Sequence, residues 1–154
     1  MTNLDVAYVP TPKGIVRQML LLARLRRDEL LYDLGAGDGR ILIEAARSFG
    51  ARCVGVEIDP VRIARLKERL EATRVMAEVI EGDLMNVDLS KADVVTIYLS
   101  NSVNSKLTPK LTRELKPGSR VVSLDYVLPE WDHEKELIVK STALDRKLYL
   151  YITK

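Results

Sequence analysis

Strands alternating with helices predict an α/β fold, a mostly parallel sheet covered by helices on both faces. Three observations carry the prediction. Short apolar or β-branched runs recur at 30–34, 52–57, 77–81, 94–99 and 120–124. Helix-period stretches separate most of these runs. A glycine-rich turn, Gly35-Ala36-Gly37-Asp38-Gly39, joins the first run to the helix behind it.

Taken in order, Val6 to Pro12 should be extended, because Pro10 and Pro12 each bias the preceding residue away from helix. Lys13 to Leu25 reads as an amphipathic helix with Ile15, Met19 and Leu22 at helical spacing, Thr11 as N-cap and Pro12 in the first turn. Leu30–Leu34 is the first strand, and 39–49 a helix stopped near Gly50. Arg52–Glu57 suits a buried parallel strand. Pro60 opens a helix with Ile63, Leu66 and Leu70 turned inward. Ala77–Glu81 and Val94–Leu99 are strands three and four, followed by a helix from about Val103 to Leu115 and a fifth strand, Arg120–Leu124. Glu136–Lys140 and Lys147–Ile152 lack a helix between them, so they should form an antiparallel hairpin on one edge.

The 154 residues are expected to form one domain: an N-terminal arm and helix (1–29), a core (30–124), and a loop with the terminal hairpin (125–154). No apolar run approaches the ~20 residues of a membrane span. With no export pattern and a single cysteine, Cys53, the expected compartment is cytoplasmic. Net charge is only +2, which argues weakly for a polyanionic partner. The arginines cluster, however, at Arg24, Arg26 and Arg27 and along Arg62, Arg65, Lys67 and Arg69. One Gln and four Asn beside abundant Arg and Glu hint at a heat-adapted source.

The glycine turn is G-x-G-x-G, and the next position is Arg40, where a dinucleotide fingerprint needs a small residue. No phosphate-binding G-x-x-x-x-G-K-[ST] loop is present. Asp33 and Asp38 beside the turn would repel a pyrophosphate and attract a ligand carrying an ammonium and a sulfonium, which S-adenosylmethionine does. Glu57 ends the second strand, about 20 positions after the turn, where a carboxylate can accept from a ribose diol. Asp83 ends the third strand and could accept from an adenine amino group, with Leu84 against the ring. The expected cofactor contacts are Asp33, Gly35, Ala36, Gly37, Glu57, Ile58, Asp83 and Leu84, with Thr11 closing over the methionine end. No metal site is expected.

Asp33-Leu34-Gly35-Ala36-Gly37-Asp38-Gly39, Gly55-Val56-Glu57 and Glu81-Gly82-Asp83 resemble the motifs of class I S-adenosylmethionine-dependent methyltransferases. That resemblance implies a Rossmann-like three-layer sandwich whose seven strands run 3-2-1-4-5-7-6, strand 7 antiparallel. Tyr8-Val9-Pro10-Thr11-Pro12, Val94 to Leu99, and Leu115-Lys116-Pro117-Gly118-Ser119-Arg120 resemble small archaeal protein-lysine methyltransferases. These are similar in turn to the catalytic core of the telomeric-silencing-disruptor histone-lysine enzymes. The chain departs from those enzymes after strand four, with Tyr98-Leu99-Ser100-Asn101 where they carry Asn-Asn-Phe.

The resemblance implies direct in-line methyl transfer to a lysine amine on a protein partner, without a dedicated base. Tyr98, Asn101, Tyr8 and Trp131 are the candidates flanking the acceptor, and Asp125 and His133 are weaker acid–base candidates. Cys53, in a buried strand, is read as structural. Methyl transfer to RNA or to a small molecule is the competing reading, motivated in its RNA form by the arginine clusters. A non-catalytic cofactor-binding protein is the third. A monomer is expected, since no long apolar helix is left without a partner.

Overall fold

The described residues build seven strands, β1 (Leu30–Leu34), β2 (Arg52–Glu57), β3 (Glu78–Glu81), β4 (Val94–Ile97), β5 (Arg120–Leu124), β6 (Lys135–Val139) and β7 (Arg146–Ile152), and four α-helices, α1 (Lys13–Leu22), α2 (Arg40–Phe49), α3 (Pro60–Thr73) and α4 (Asn101–Glu114). This computed structural model describes residues 9–154. Val6, Ala7 and the candidate Tyr8 lie outside the described residues. The strands form one sheet in the order β3-β2-β1-β4-β5-β7-β6, as expected. β1 pairs in parallel with β2 on one side and β4 on the other. β7 runs antiparallel to both β5 and β6.

Alternate strand residues feed two cores. Leu31, Cys53, Val94, Val122 and Leu148 pack with Met19 and Leu20 of α1, Leu42 of α2 and Leu66 of α3. Tyr32, Val54, Val95, Val121 and Tyr151 pack with Val103, Leu107 and Leu111 of α4. The three-layer sandwich follows directly from this period-2 division.

Element ends differ from expectation where backbone chemistry overrides periodicity. α1 stops at Leu22, because Arg24 takes a left-handed φ of +53° and the Leu25 N–H turns back to the Leu20 carbonyl at 3.2 Å. Pro12, not Thr11, occupies the N-cap position, and no side chain caps the helix. α4 starts at Asn101 because Ser100 Oγ accepts from the Val103 N–H at 3.2 Å. β4 ends at Ile97, so Tyr98 and Leu99 leave the sheet next to the glycine turn. The Gly55 of the Gly-Val-Glu motif answers a steric need. A Cβ there would stand 2.6 Å from Leu42 Cδ1 and 3.0 Å from Ala36 Cβ, so only glycine lets α2 and its loop close on β2.

Candidate active site

β1 is the point where chain connections diverge to either side of the sheet, and a cleft opens at its carboxyl end. The turn after β1 is tied down before it reaches the cleft. Gly35 and Ala36 donate their N–H groups to the Val56 carbonyl at 2.8 and 2.9 Å, and Gly37 donates to Glu57 Oε1 at 2.9 Å. Gly39 then takes φ +84° at the N-cap of α2, against Leu66. Asp33 and Gly35–Asp38 line one wall, Tyr98 and Leu99 another, and Val9–Thr11 the rim. The cleft is open to solvent, with about 570 Å³ of space between its walls and the solvent at its mouth.

Asp33 is the chemical centre of the cleft. It is buried, and its Oδ1 accepts from Thr96 Oγ1 at 2.9 Å. Burial, with Glu57 and Asp38 nearby, outweighs that hydrogen bond and pushes the Asp33 carboxyl up to about 7. A buried carboxyl held at the edge of ionisation by other carboxylates suits a cationic ligand group, which would supply the missing counter-charge. The donor set therefore fits the ammonium of S-adenosylmethionine, and Asp33, Gly35, Ala36, Gly37 and Thr11 are the residues that would hold its methionine end.

Asp38 has a different occupation from the one expected. Its carboxylate is clamped by Arg40 at 2.6 Å and Arg69 at 2.8 Å, and these partners hold it below the ordinary Asp range against the opposing effect of burial. The charge of Asp38 is thus spent on two guanidiniums. Arg40 also donates from Nη1 to the Thr11 carbonyl at 2.8 Å, tying the rim segment to the glycine turn.

Glu57 is 1% exposed. Besides Gly37, its carboxylate accepts from the Ile58 and Asp59 N–H groups at 3.0 and 3.1 Å. It organises the turn from below, and Ile58 lies beside it, half-exposed. Gly82 donates to the Glu57 carbonyl at 2.9 Å, linking the ends of β2 and β3. Asp83 caps a 3-10 turn at Leu84–Asn86 through the Met85 N–H, and Leu84 is buried in the α4-side core.

The acceptor-side candidates separate. Tyr98 lines the cleft. Asn101 is exposed at the start of α4 and outside the cleft lining. Trp131 lies in another hollow with Thr112, Leu115 and Thr153, its Nε1 donating to Thr112 Oγ1 at 2.9 Å. Asp125 is paired with Arg146. His133 is on a loop, 5.4 Å from the Tyr149 ring. Cys53 is buried, its thiol pushed up to about 12 by burial and by Asp33, which makes it a packing group. Thr96, Leu99 and Arg146 escaped sequence reasoning. Thr96 and Leu99 are ordinary residues at and just past the end of β4, and Arg146, outside the cleft lining, is connected to it only through the Tyr98 hydroxyl. Among the described residues no group of three or more His, Cys, Asp or Glu is arranged to hold a metal, and no helix is long and apolar enough to cross a membrane.

A protein-lysine N-methyltransferase of Saccharolobus islandicus is 43% identical over 150 residues, covering 96% of this chain and 93% of that one. The adenine nucleotide translocase lysine N-methyltransferase of Mus musculus is 37% identical over 132 residues, 84% of this chain but only 57% of its own length. Among solved structures, an RNA methyltransferase from Salinibacter ruber in complex with S-adenosyl-L-homocysteine superposes with a TM-score of 0.87 at 43% identity, covering 94% and 93% of the two chains. The ANTKMT methyltransferase domain model matches residues 33–135, two thirds of the sequence, and the chain belongs to that family of methyltransferases.

Proposed function

We propose that the protein transfers a methyl group from S-adenosylmethionine to the side-chain amine of lysine in protein substrates. One observation carries the reading: the cleft that joins a buried carboxyl, Asp33, to an exit wall of Tyr98 and Leu99 belongs to a chain that matches a lysine methyltransferase over nearly the full length of both. The cofactor, when bound, supplies an electrophilic methyl on a sulfonium. Everything else falls to the residues. Ionised Asp33 would pair with the methionine ammonium, and the Gly35–Gly37 backbone, in the same cleft wall, would hold the methionine end. Ile58 and Asp83, half-exposed at the ends of β2 and β3, would meet the adenosine side, with the buried Glu57 and Leu84 supporting them from behind. Tyr98 and Leu99, which line the cleft, would direct the lysine stem.

A free lysine has a pKa of about 10.4 and attacks only when neutral. Desolvation between apolar walls favours the neutral amine. Alignment supplies the larger part of the rate, since well-oriented reactions gain about 7–11 kcal/mol. Trp131, in its separate hollow, is better suited to contacting the body of a protein substrate than the reacting amine. The same reading expects a monomer in a reducing, cytoplasmic setting, organised as arm (1–29), core (30–124) and hairpin region (125–154). The scarcity of Asn and Gln supports a heat-adapted source.

The name given to the Salinibacter relative favours a second reading, an RNA acceptor. The arginine cluster on α3 gives that reading little support. Arg62, Lys67 and Arg69 are each paired with carboxylates, on Glu57 and Asp59, Glu81 and Asp38 respectively. Incubation with methyl-labelled S-adenosylmethionine and a whole-cell extract separates the two. Label destroyed by protease and resistant to nuclease is the expected result, and nuclease-sensitive label would replace lysine with RNA.

A further inference from the structure

The contacts of Arg146 assign it a task that no sequence motif announces. It is the first residue of β7, brought beside the end of β5 by the register Leu124↔Leu148. Its Nε donates to Asp125 Oδ2 at 2.9 Å and its Nη2 to the same carboxylate at 2.5 Å, a two-point clamp. The Nη2 group also donates to the Tyr98 hydroxyl at 2.9 Å. The guanidinium carbon lies 5.4 Å from the Tyr98 ring centroid. One side chain thus joins the ends of β4, β5 and β7 at the wall of the cleft.

The support behind Arg146 is itself specialised. Asp125 holds a left-handed backbone, φ +65°, which non-glycine residues rarely adopt. Its N–H donates to the Lys147 carbonyl at 2.7 Å, locking it to β7. The neighbouring Tyr126 stacks on Tyr98 with ring centroids 6.3 Å apart. The Tyr126 carbonyl accepts from Ser123 Oγ and, at 3.3 Å, from Asn104 Nδ2. Tyr98 is therefore held at its hydroxyl by Arg146 and along its ring by Tyr126. An exposed surface ion pair would contribute little and would leave the tyrosine rotamer free. A forked guanidinium with only 16% of its side chain exposed fixes direction as well as charge.

We propose that Arg146, oriented by Asp125, is a positioning residue that sets the Tyr98 phenol against the incoming lysine. The proposal rests on the reading of Tyr98 as an acceptor-side residue. The phenol oxygen accepts from Arg146, which leaves its own O–H and a second lone pair for the acceptor side. Asp125 offsets the guanidinium charge, so the phenol can be held by a cation without a net positive charge opposing an arriving amine.

The test is steady-state methylation of a lysine-bearing protein by Tyr98→Phe, Arg146→Ala, Arg146→Lys and the Tyr98→Phe/Arg146→Ala double variant. Arg146→Ala is expected to lower kcat about ten- to hundredfold, as a small misalignment does. The KM for S-adenosylmethionine should move less than about twofold, because Arg146 itself is outside the cleft lining. Arg146→Lys should regain thermal stability but not kcat, since an ammonium lacks the fork that reaches both partners. In the Tyr98→Phe background, Arg146→Ala should add almost nothing, the non-additivity of residues that act as a unit. Full kcat in folded Arg146→Lys, or an effect of Arg146→Ala that is undiminished in the Tyr98→Phe background, overturns the proposal while leaving the Tyr98 reading intact. Full kcat in Tyr98→Phe alone removes the acceptor-side reading and the proposal with it.

Discussion

Two buried carboxylates, at the ends of β1 and β2, have different surroundings. Glu57 satisfies three backbone N–H groups at the turn and before α3, so truncating it strands the buried Gly37 donor at about 1–3 kcal/mol and leaves the half-buried Ile58 and Asp59 donors to solvent. Asp33 is held in place by Thr96 and faces the cleft, with its carboxyl pushed up to about 7. Below that pH the free protein carries a proton there, which a cationic ligand must expel. Affinity for S-adenosylmethionine should rise between pH 5 and 7 and level off above. Asp33→Asn should flatten that profile and weaken binding about ten- to hundredfold, as expected for the loss of a charge-assisted contact. The same variant should keep its fold at pH 8, whereas Glu57→Ala should melt well below the parent. Calorimetric titration across pH, with a thermal melt of each variant, reads both outcomes. The sequence pointed to both residues, by their place at strand ends after β1 and β2. It could not divide their roles, because burial and hydrogen-bond partners depend on how the turn folds back over β2.

At the scale of elements, most strands and helices were legible because hydrophobic period and glycine or proline boundaries agreed. β1, β2 and β5 match the expected spans, and the hairpin order follows from the missing helix before β7. Helix ends were less legible, since they turn on single hydrogen bonds such as Ser100 to Val103. Least legible were the ties between distant segments. Arg40 was read only as an obstacle to a dinucleotide, yet it bridges Asp38 and the Thr11 carbonyl and so fastens the rim to the turn. Arg40→Ala should loosen that rim and speed dissociation of S-adenosylmethionine by about tenfold, an effect concentrated in koff rather than kon. Stopped-flow displacement measures it, and an unchanged koff would show that the rim is held by other contacts.

The whole molecule combines opposing titrations. Glu29, Asp38 and Asp93 are each held below the ordinary carboxylate range despite burial, chiefly by Arg120, by Arg40, and by the Leu30 N–H with Lys116. Their contribution to stability is present above the ordinary carboxylate range near ~4 and is lost as pH falls through their folded values. Asp33 has the opposite sign. Its contribution is complete below that range and is lost as pH rises through about 7. The ligand-free protein should therefore be most stable near about pH 4 and should lose the Asp33 contribution progressively as pH rises toward about 7. S-adenosylmethionine should raise Tm more at pH 8 than at pH 5, because it supplies Asp33 with a counter-ion. Melts at both pH values, with and without the ligand, give the comparison, and an equal Tm shift would remove Asp33 from the ligand's ammonium.

The assignment of the acceptor is the central claim, and mass spectrometry tests it most directly. A lysine-rich protein is incubated with S-adenosylmethionine and either the parent enzyme or Asp33→Asn, then digested and mapped. Methyl groups confined to lysine side chains, dependent on S-adenosylmethionine and strongly reduced with Asp33→Asn, are the predicted result. Unmodified lysines beside methylated nucleotides in an RNA incubated in parallel would contradict it.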